Sequence, residues 1–173
     1  NSPYRTLKDL LAAAKDPARP LRYGSNSVGG PIHLSSAQLE HAIGSPMLHV
    51  PYKETSQLYA AVATGELDWA FGSAITTQPL VQAGKLRLLA VADRQRFSGM
   101  PDVPTLAEAG GPAGVYAHSW VALMAPRGTP TKVAEEINVG VNEALAKPTV
   151  RERLASFGFV GSDGPPQLIT DWT

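Results

Sequence analysis

The stretch Gly24-Ser25-Asn26-Ser27-Val28-Gly29-Gly30-Pro31 gathers the groups best suited to holding a ligand. It reads as the junction between a short strand, Leu21–Tyr23, and a helix from Pro31 to about Ile43, with Pro31 suited to a first helical position. At such a junction unpaired N–H groups and the helix dipole favour an anion. Glycine lets the backbone approach a ligand closely, and Ser25, Asn26 and Ser27 add neutral hydrogen bonds. The implied chemistry is a carboxylate cradle without a formal positive charge. A plain strand-to-helix turn with a serine cap is the competing account.

Catalytic motifs fail at the same loop. Gly24 and Gly29 have the first spacing of a phosphate-binding P-loop, but Gly30-Pro31 stands where Lys-Ser/Thr is required. The dinucleotide pattern Gly-x-Gly-x-x-Gly is absent. Ser27 has Gly29 after it, but Ser25 occupies the place of the first glycine of a nucleophile elbow. Of the four histidines, His33, His41, His49 and His118, none pair at i, i+4, so the helical zinc pattern fails. His33 falls in the first turns after the loop and faces the same mouth in this reading. His49 alternates with Leu48 and Val50, which places it at the side or edge of a sheet. Glu135-Glu136 and Arg151-Glu152-Arg153 read as solvated helix faces, and Asp68 as the exposed start of a strand. No carboxylate pair has the pattern of an acid–base couple. The expectation is no catalytic residue, no metal and no cofactor.

Composition sets the wider bounds. The sequence has 173 residues, with Lys+Arg 15 and Asp+Glu 15, so the formal net charge is zero. That balance argues against nucleic acid, which needs a basic surface. With no cysteine, disulfides, thiolate metal sites and cysteine nucleophiles are excluded. Leu88–Ala92 and Trp120–Pro126, the best apolar runs, are strand-sized rather than membrane-spanning.

The elements that must position the loop follow from periodicity and punctuation. Leu7, Leu10, Leu11 and Ala14 predict an amphipathic helix over Arg5–Lys15, ended by Pro17 and Pro20. Met47–Val50, Leu67–Phe71 and Leu86–Ala92 read as strands, the last as the strongest buried one. A helix capped by Thr55 or Ser56 runs to Thr64 and closes at Gly65; another, capped by Thr76 or Thr77, ends before Gly84. Strands and helices in short alternation imply a parallel α/β sheet with helices on both faces. Beyond Asp93 come a Pro-punctuated loop, 97–104, a one-turn helix, Thr105–Ala109, and an extended segment, Val115–Ala125, holding Ser119 and Trp120. A helix capped at Thr129 or Thr131 carries Val133, Ile137, Val141 and Leu145 in one row. A helix over Val150–Phe157, a strand at Phe159-Val160 and a last helix from Pro165 to Trp172 complete the reading. The chain opens without an initiator Met or a signal-like segment, so either a signal was removed or this is an internal piece; both ends read as cut.

Several segments in register resemble one family. They are Tyr23-Gly24-Ser25 with Gly29 and His33-Leu34; His49-Val50-Pro51-Tyr52-Lys53; Ala83-Gly84-Lys85-Leu86-Arg87 with Leu89-Ala90-Val91; Pro101-Asp102-Val103-Pro104-Thr105 with Glu108-Ala109-Gly110; and Ser119-Trp120 with Ala125-Pro126-Arg127-Gly128-Thr129-Pro130. In order and spacing they resemble the Bug/TctC family, the extracytoplasmic solute-binding receptors of tripartite tricarboxylate transporters. The resemblance implies a type II periplasmic binding protein, a "Venus flytrap" of two α/β lobes. Here it implies a second ligand-binding lobe over 1–120, then a crossover strand and C-terminal helices over 121–173 that would pack towards an absent first lobe. It also implies a periplasmic location after removal of a signal peptide, a small di-, tri- or aromatic carboxylate as ligand, and the membrane components of the transporter as partners. Carried over by position, the ligand-binding set is Ser25, Asn26, Ser27, Val28, Gly29, His33, Tyr52, Lys53, Gly72 and Ser73. Glu54 stands where the family often has Gly, and Gly72-Ser73 where it often has Asp-Asn; the missing Asp disfavours an amino-acid ligand. The alternative is a small α/β hydrolase or transferase using Ser25 or Ser27. The apolar row of Val133, Ile137, Val141 and Leu145 is expected to support a homodimer if left exposed.

Overall fold

Apolar spacing and a cap coincide at the first helix. In a computed structural model describing residues 2–117, 121–157, 159, 161 and 163–166, α1 spans Leu7–Ala13. Leu7 and Leu10 are buried on one face. Thr6 and Asp9 form a reciprocal capping box: the Asp9 N–H donates to Thr6 Oγ1 at 3.2 Å and the Thr6 N–H to Asp9 Oδ2 at 2.8 Å. These bonds from Thr6 hold the Asp9 carboxyl below its ordinary range.

The chain forms two compact units, 1–119 and 120–173. In the first, β1 (Arg22–Ser25) is followed by α2 (Pro31–Ile43), β2 (Leu48–Pro51), α3 (Thr55–Thr64) and α4 (Ala74–Gln82). β1 and β2 pair in parallel, with Tyr23 opposite His49 and Ser25 opposite Pro51. Side chains alternate along a strand, so consecutive residues of β1 serve different cores. Tyr23 joins Leu7, Leu10, Leu21, Leu39, Trp69, Leu106 and Val115 in one buried cluster. Gly24 instead faces the second cluster: a Cβ there would lie 2.3 Å from Leu58 Cδ1 and 2.6 Å from Leu67 Cδ1.

Two predicted strands are shorter than expected. Leu67–Phe71 runs beside β1, its Asp68 and Trp69 amides donating to the Arg22 carbonyl, but pairs only through the bridge between Tyr23 and Trp69. Leu86–Ala92 contributes one bridge, Val91 to Thr105, with the Val91 N–H bonded to the Pro104 carbonyl. Its neighbour includes Pro104, which has no N–H to extend a ladder. At its start, Lys85 and Leu86 donate to the Leu80 carbonyl and so close α4 instead. Asp68 is also not exposed. Its side chain, 8% accessible, accepts from the Arg22 backbone at 2.8 Å, from Arg22 Nε at 3.3 Å and from the Tyr4 hydroxyl at 3.3 Å, and so ties three segments together.

The helix starts differ in detail. Glu54 and Ser73 are the N-cap residues of α3 and α4, with no side-chain cap bond, so Thr55 is already helical and Thr76 and Thr77 lie inside α4. Both α4 threonines turn their hydroxyls back to the Ser73 carbonyl. The 105–109 segment is a hydrogen-bonded turn, its Thr105 and Glu108 bonded reciprocally as in a cap.

In the second unit, α5 spans Thr131–Ala146 and α6 Pro148–Ser156. Pro130 is the N-cap of α5, in place of either threonine. Neither helix has a buried residue, and Val133, Ile137 and Val141 are exposed. Asn138 and Asn142 grip Gly164: both amides donate to its carbonyl, at 3.0 and 3.1 Å, and its N–H donates to Asn142 Oδ1. The expected Ser119-Trp120 pair, Val160 and residues 167–172 of the last helix, expected over Pro165–Trp172, lie outside the described residues. None of the described helices is long and apolar enough to cross a membrane.

Candidate functional site

The loop between β1 and α2 sits at the carboxyl end of a parallel strand, where open α/β sheets bind ligands. Asn26, Ser27, Val28 and Gly29 are exposed, while Ser25 beneath them is fully buried. Gly29 has φ +78°, a left-handed conformation that glycine adopts without strain. Among the hydrogen bonds of the described residues, the amides of Asn26, Ser27 and Val28 donate none. Nor do those of Ile32 and His33 in the first turn of α2. Among the described residues, five main-chain donors at this one strand-to-helix junction thus have no acceptor.

Three rings and a hydroxyl support this loop from below. The β1–β2 register puts Tyr23 and His49 on one face, and their rings lie 5.1 Å apart. His33 reaches in from α2 and stacks on His49, with centroids 4.1 Å apart and planes at 25°. Trp69 closes the far side of Tyr23 at 5.3 Å and meets Phe71 edge-on. Burial and then the Glu40 carboxylate push the Tyr23 phenol up from its ordinary value. Burial first, then His33, hold the His49 imidazole below its ordinary range, with Glu40 opposing.

Proton positions follow from donor and acceptor chemistry. The Ser25 hydroxyl lies 2.9 Å from the Ser27 carbonyl and 2.8 Å from His49 Nε2. A carbonyl only accepts, so Ser25 gives its proton to Ser27 and receives one from His49 Nε2. A serine nucleophile needs the reverse, with its proton passing to the imidazole. The Gly29 N–H donates to His33 Nδ1 at 2.9 Å, so in this geometry that nitrogen is an acceptor.

The structure brings Ser25, Ser27, Gly29 and His33 into one hydrogen-bonded and stacked group. Asn26 is tied outward, its side-chain amide donating to Thr55 Oγ1 at 3.3 Å, which links the loop to the start of α3. Val28 is 73% accessible, and Lys53 is exposed. Tyr52 is less free: its N–H donates to the Ser25 carbonyl at 2.8 Å and its hydroxyl to Glu66 at 2.9 Å. Gly72 and Ser73 are exposed at the start of α4, with the Tyr59 hydroxyl over Gly72, 2.5 Å from where a Cβ would stand. Among the described residues no hydrogen bond joins Gly72 or Ser73 to Ser25 or His33. His49 and Tyr23, absent from the expected set, are central. Their strand alternation was visible in the sequence, but the register that aligns them was not. A cavity of about 140 Å³ lies apart from this group, lined in part by Arg94, Leu106, Gly114 and Tyr116.

The chain belongs to the tripartite tricarboxylate transporter family of receptors, TctC, whose family model matches residues 1–169. It is 34% identical over 171 residues to the UPF0065 protein of the tcbD-tcbE intergenic region of Pseudomonas sp. strain P51, covering 99% of this chain and 51% of that protein. It superposes with a TM-score of 0.87 and 31% identity on a Rhodopseudomonas palustris protein solved with adipate, covering 98% of this chain and 56% of that one. MatC of the same organism, with bound malate, gives a TM-score of 0.80 at 27% identity, covering 92% of this chain and 54% of MatC. The fold is that of the periplasmic binding proteins. The chain spans about half the length of these relatives.

Proposed function

We propose that this chain is the second-lobe portion of an extracytoplasmic solute receptor. In this reading it captures a small organic carboxylate in the periplasm for the membrane components of a tripartite transporter, and catalyses no reaction. The observation that carries the reading is the set of free amides of Asn26, Ser27, Val28, Ile32 and His33 at one exposed junction. Oriented N–H groups at a helix start attract an anion and need no reorganisation to do so. Ser27 adds a hydroxyl, and exposed Lys53 a positive charge. Gly72 and Ser73 offer a further backbone at the end of a neighbouring strand-like segment. The adipate and malate held by the two solved relatives support a small carboxylate as the ligand. The hydrolase alternative is disfavoured, because Ser25 is buried and its proton goes to a carbonyl.

Titration calorimetry of the intact protein with adipate, malate and a tricarboxylate tests this; heat from none of them rejects the reading. A sharper test uses Gly30, where an added Cβ would stand 2.0 Å from Ser27 Oγ. Gly30→Ala must swing that hydroxyl away while its φ of −76° suits alanine. Loss of one hydrogen bond to a carboxylate, about 1.5 kcal/mol, should weaken binding about tenfold with the circular dichroism spectrum unchanged. The exposed row of Val133, Ile137 and Val141 supports a homodimer through the C-terminal helices; a monomer at all concentrations in sedimentation velocity rejects that part.

A further inference from the structure

The bond from Gly29 to His33 is a feature that carboxylate binding does not require. It ties one amide of the free-donor loop to a titratable ring. We propose that His33 is a proton-linked positioning residue: capture of the carboxylate is accompanied by uptake of one proton at His33 Nδ1, which releases the Gly29 amide to the ligand. The inference rests on the carboxylate reading above and adds pH regulation to it.

The argument is one of donors and acceptors. A neutral His33 accepts at Nδ1; a protonated one carries N–H there, and two N–H groups then face each other 2.9 Å apart. The Gly29 amide must turn away, and glycine at φ +78° has the freedom to do so. It then joins the unbonded amides of Asn26, Ser27 and Val28, and the loop gains an imidazolium beside the incoming anion. His49 lacks this property, since its Nε2 donates to Ser25 in either charge state and protonation changes no bond. Stacking at 4.1 Å limits the pair to one proton, because two imidazoliums at that distance repel. The groups facing His33 are the Tyr23 phenol on β1 and His49 on β2; Glu40, two turns further along α2, acts on His49 and Tyr23, where its carboxylate favours a proton. Among the described residues no ion pair involves either ring. Burial, with His33 alongside, disfavours a proton on His49.

The sign follows. If the ligand binds better to the protonated form, affinity falls as pH rises, by up to about tenfold per pH unit across the histidine range. The experiment is calorimetry of the intact protein with adipate at about pH 5.5 and about pH 8, in two buffers of different ionisation enthalpy. Expected are weaker binding at the higher pH and uptake of close to one proton per adipate at an intermediate pH. In His33→Ala the Gly29 amide is free at every pH, so the pH slope should flatten. Binding with equal affinity at both pH values, or a slope that survives in His33→Ala, overturns the inference and leaves the carboxylate reading intact. No heat from any carboxylate at either pH overturns the carboxylate reading and this inference with it. Should the variant not fold, an amide NMR titration of the ligand-free protein decides: the Gly29 resonance should move with the His33 ring proton, and a Gly29 amide that stays still overturns the proposal.

Discussion

Tyr23→Ala is expected to destabilise the first unit by about 3–5 kcal/mol, the range for deleting a buried large aromatic side chain. Tyr23 is only 2% accessible. Its ring contacts His49 at 5.1 Å and Trp69 at 5.3 Å, with His33 at 6.4 Å. Aromatic contacts of this kind add about 0.5–1.5 kcal/mol each beyond area burial. Removing the ring empties the floor under both histidines, so carboxylate binding should be lost together with stability. Urea unfolding followed by Trp fluorescence reads the first effect as a lower midpoint at constant slope. A loss below about 1 kcal/mol would show that the ring is a surface neighbour rather than a core member.

The second large effect lies on the other face of β1. Leu58 is fully buried, and Leu58→Ala should cost about 2–5 kcal/mol through lost burial and the cavity left behind. Gly24→Ala alone should cost about 1–3 kcal/mol, since its new Cβ would overlap Leu58 Cδ1 at 2.3 Å and Leu67 Cδ1 at 2.6 Å. The pair should not be additive. Leu58→Ala removes the first of those methyls, so the Gly24 methyl enters space the leucine vacated. The double variant should then be more stable than the sum of the single effects predicts, with a coupling of about 0.5–3 kcal/mol. Strict additivity in the double-mutant cycle would mean that Gly24 does not meet Leu58 at all.

Local elements were legible where local physics sets them. α2 starts at Pro31 and ends at Ile43 as the sequence suggested, and the structure adds Gly44 in the left-handed conformation as its cap. Gly65, with φ +82°, likewise closes α3. The caps of α3, α4 and α5 were misplaced by one or more residues, because several Ser and Thr residues stand near each start and only backbone geometry selects among them. The apolar run Leu86–Ala92 looked like the strongest strand, yet it has one bridge. Hydrophobicity reports burial, and a ladder also needs a partner with free N–H groups, which Pro104 cannot supply.

The sequence alone determined the chemistry on offer: a glycine- and serine-rich turn entering a helix, no cysteine, no metal-spaced histidines and balanced charge. Those properties are local or compositional, and each follows from residue type and near spacing. Only the tertiary structure decided that Tyr23, Ser25, His33 and His49 meet, and which way their protons run. That meeting depends on the parallel register of β1 and β2, strands separated by a whole helix. A slip of one residue would turn His49 to the opposite face. The burial of β1 on both faces, Tyr23 in one cluster and Gly24 against the other, constrains that register, and no short window of sequence contains it.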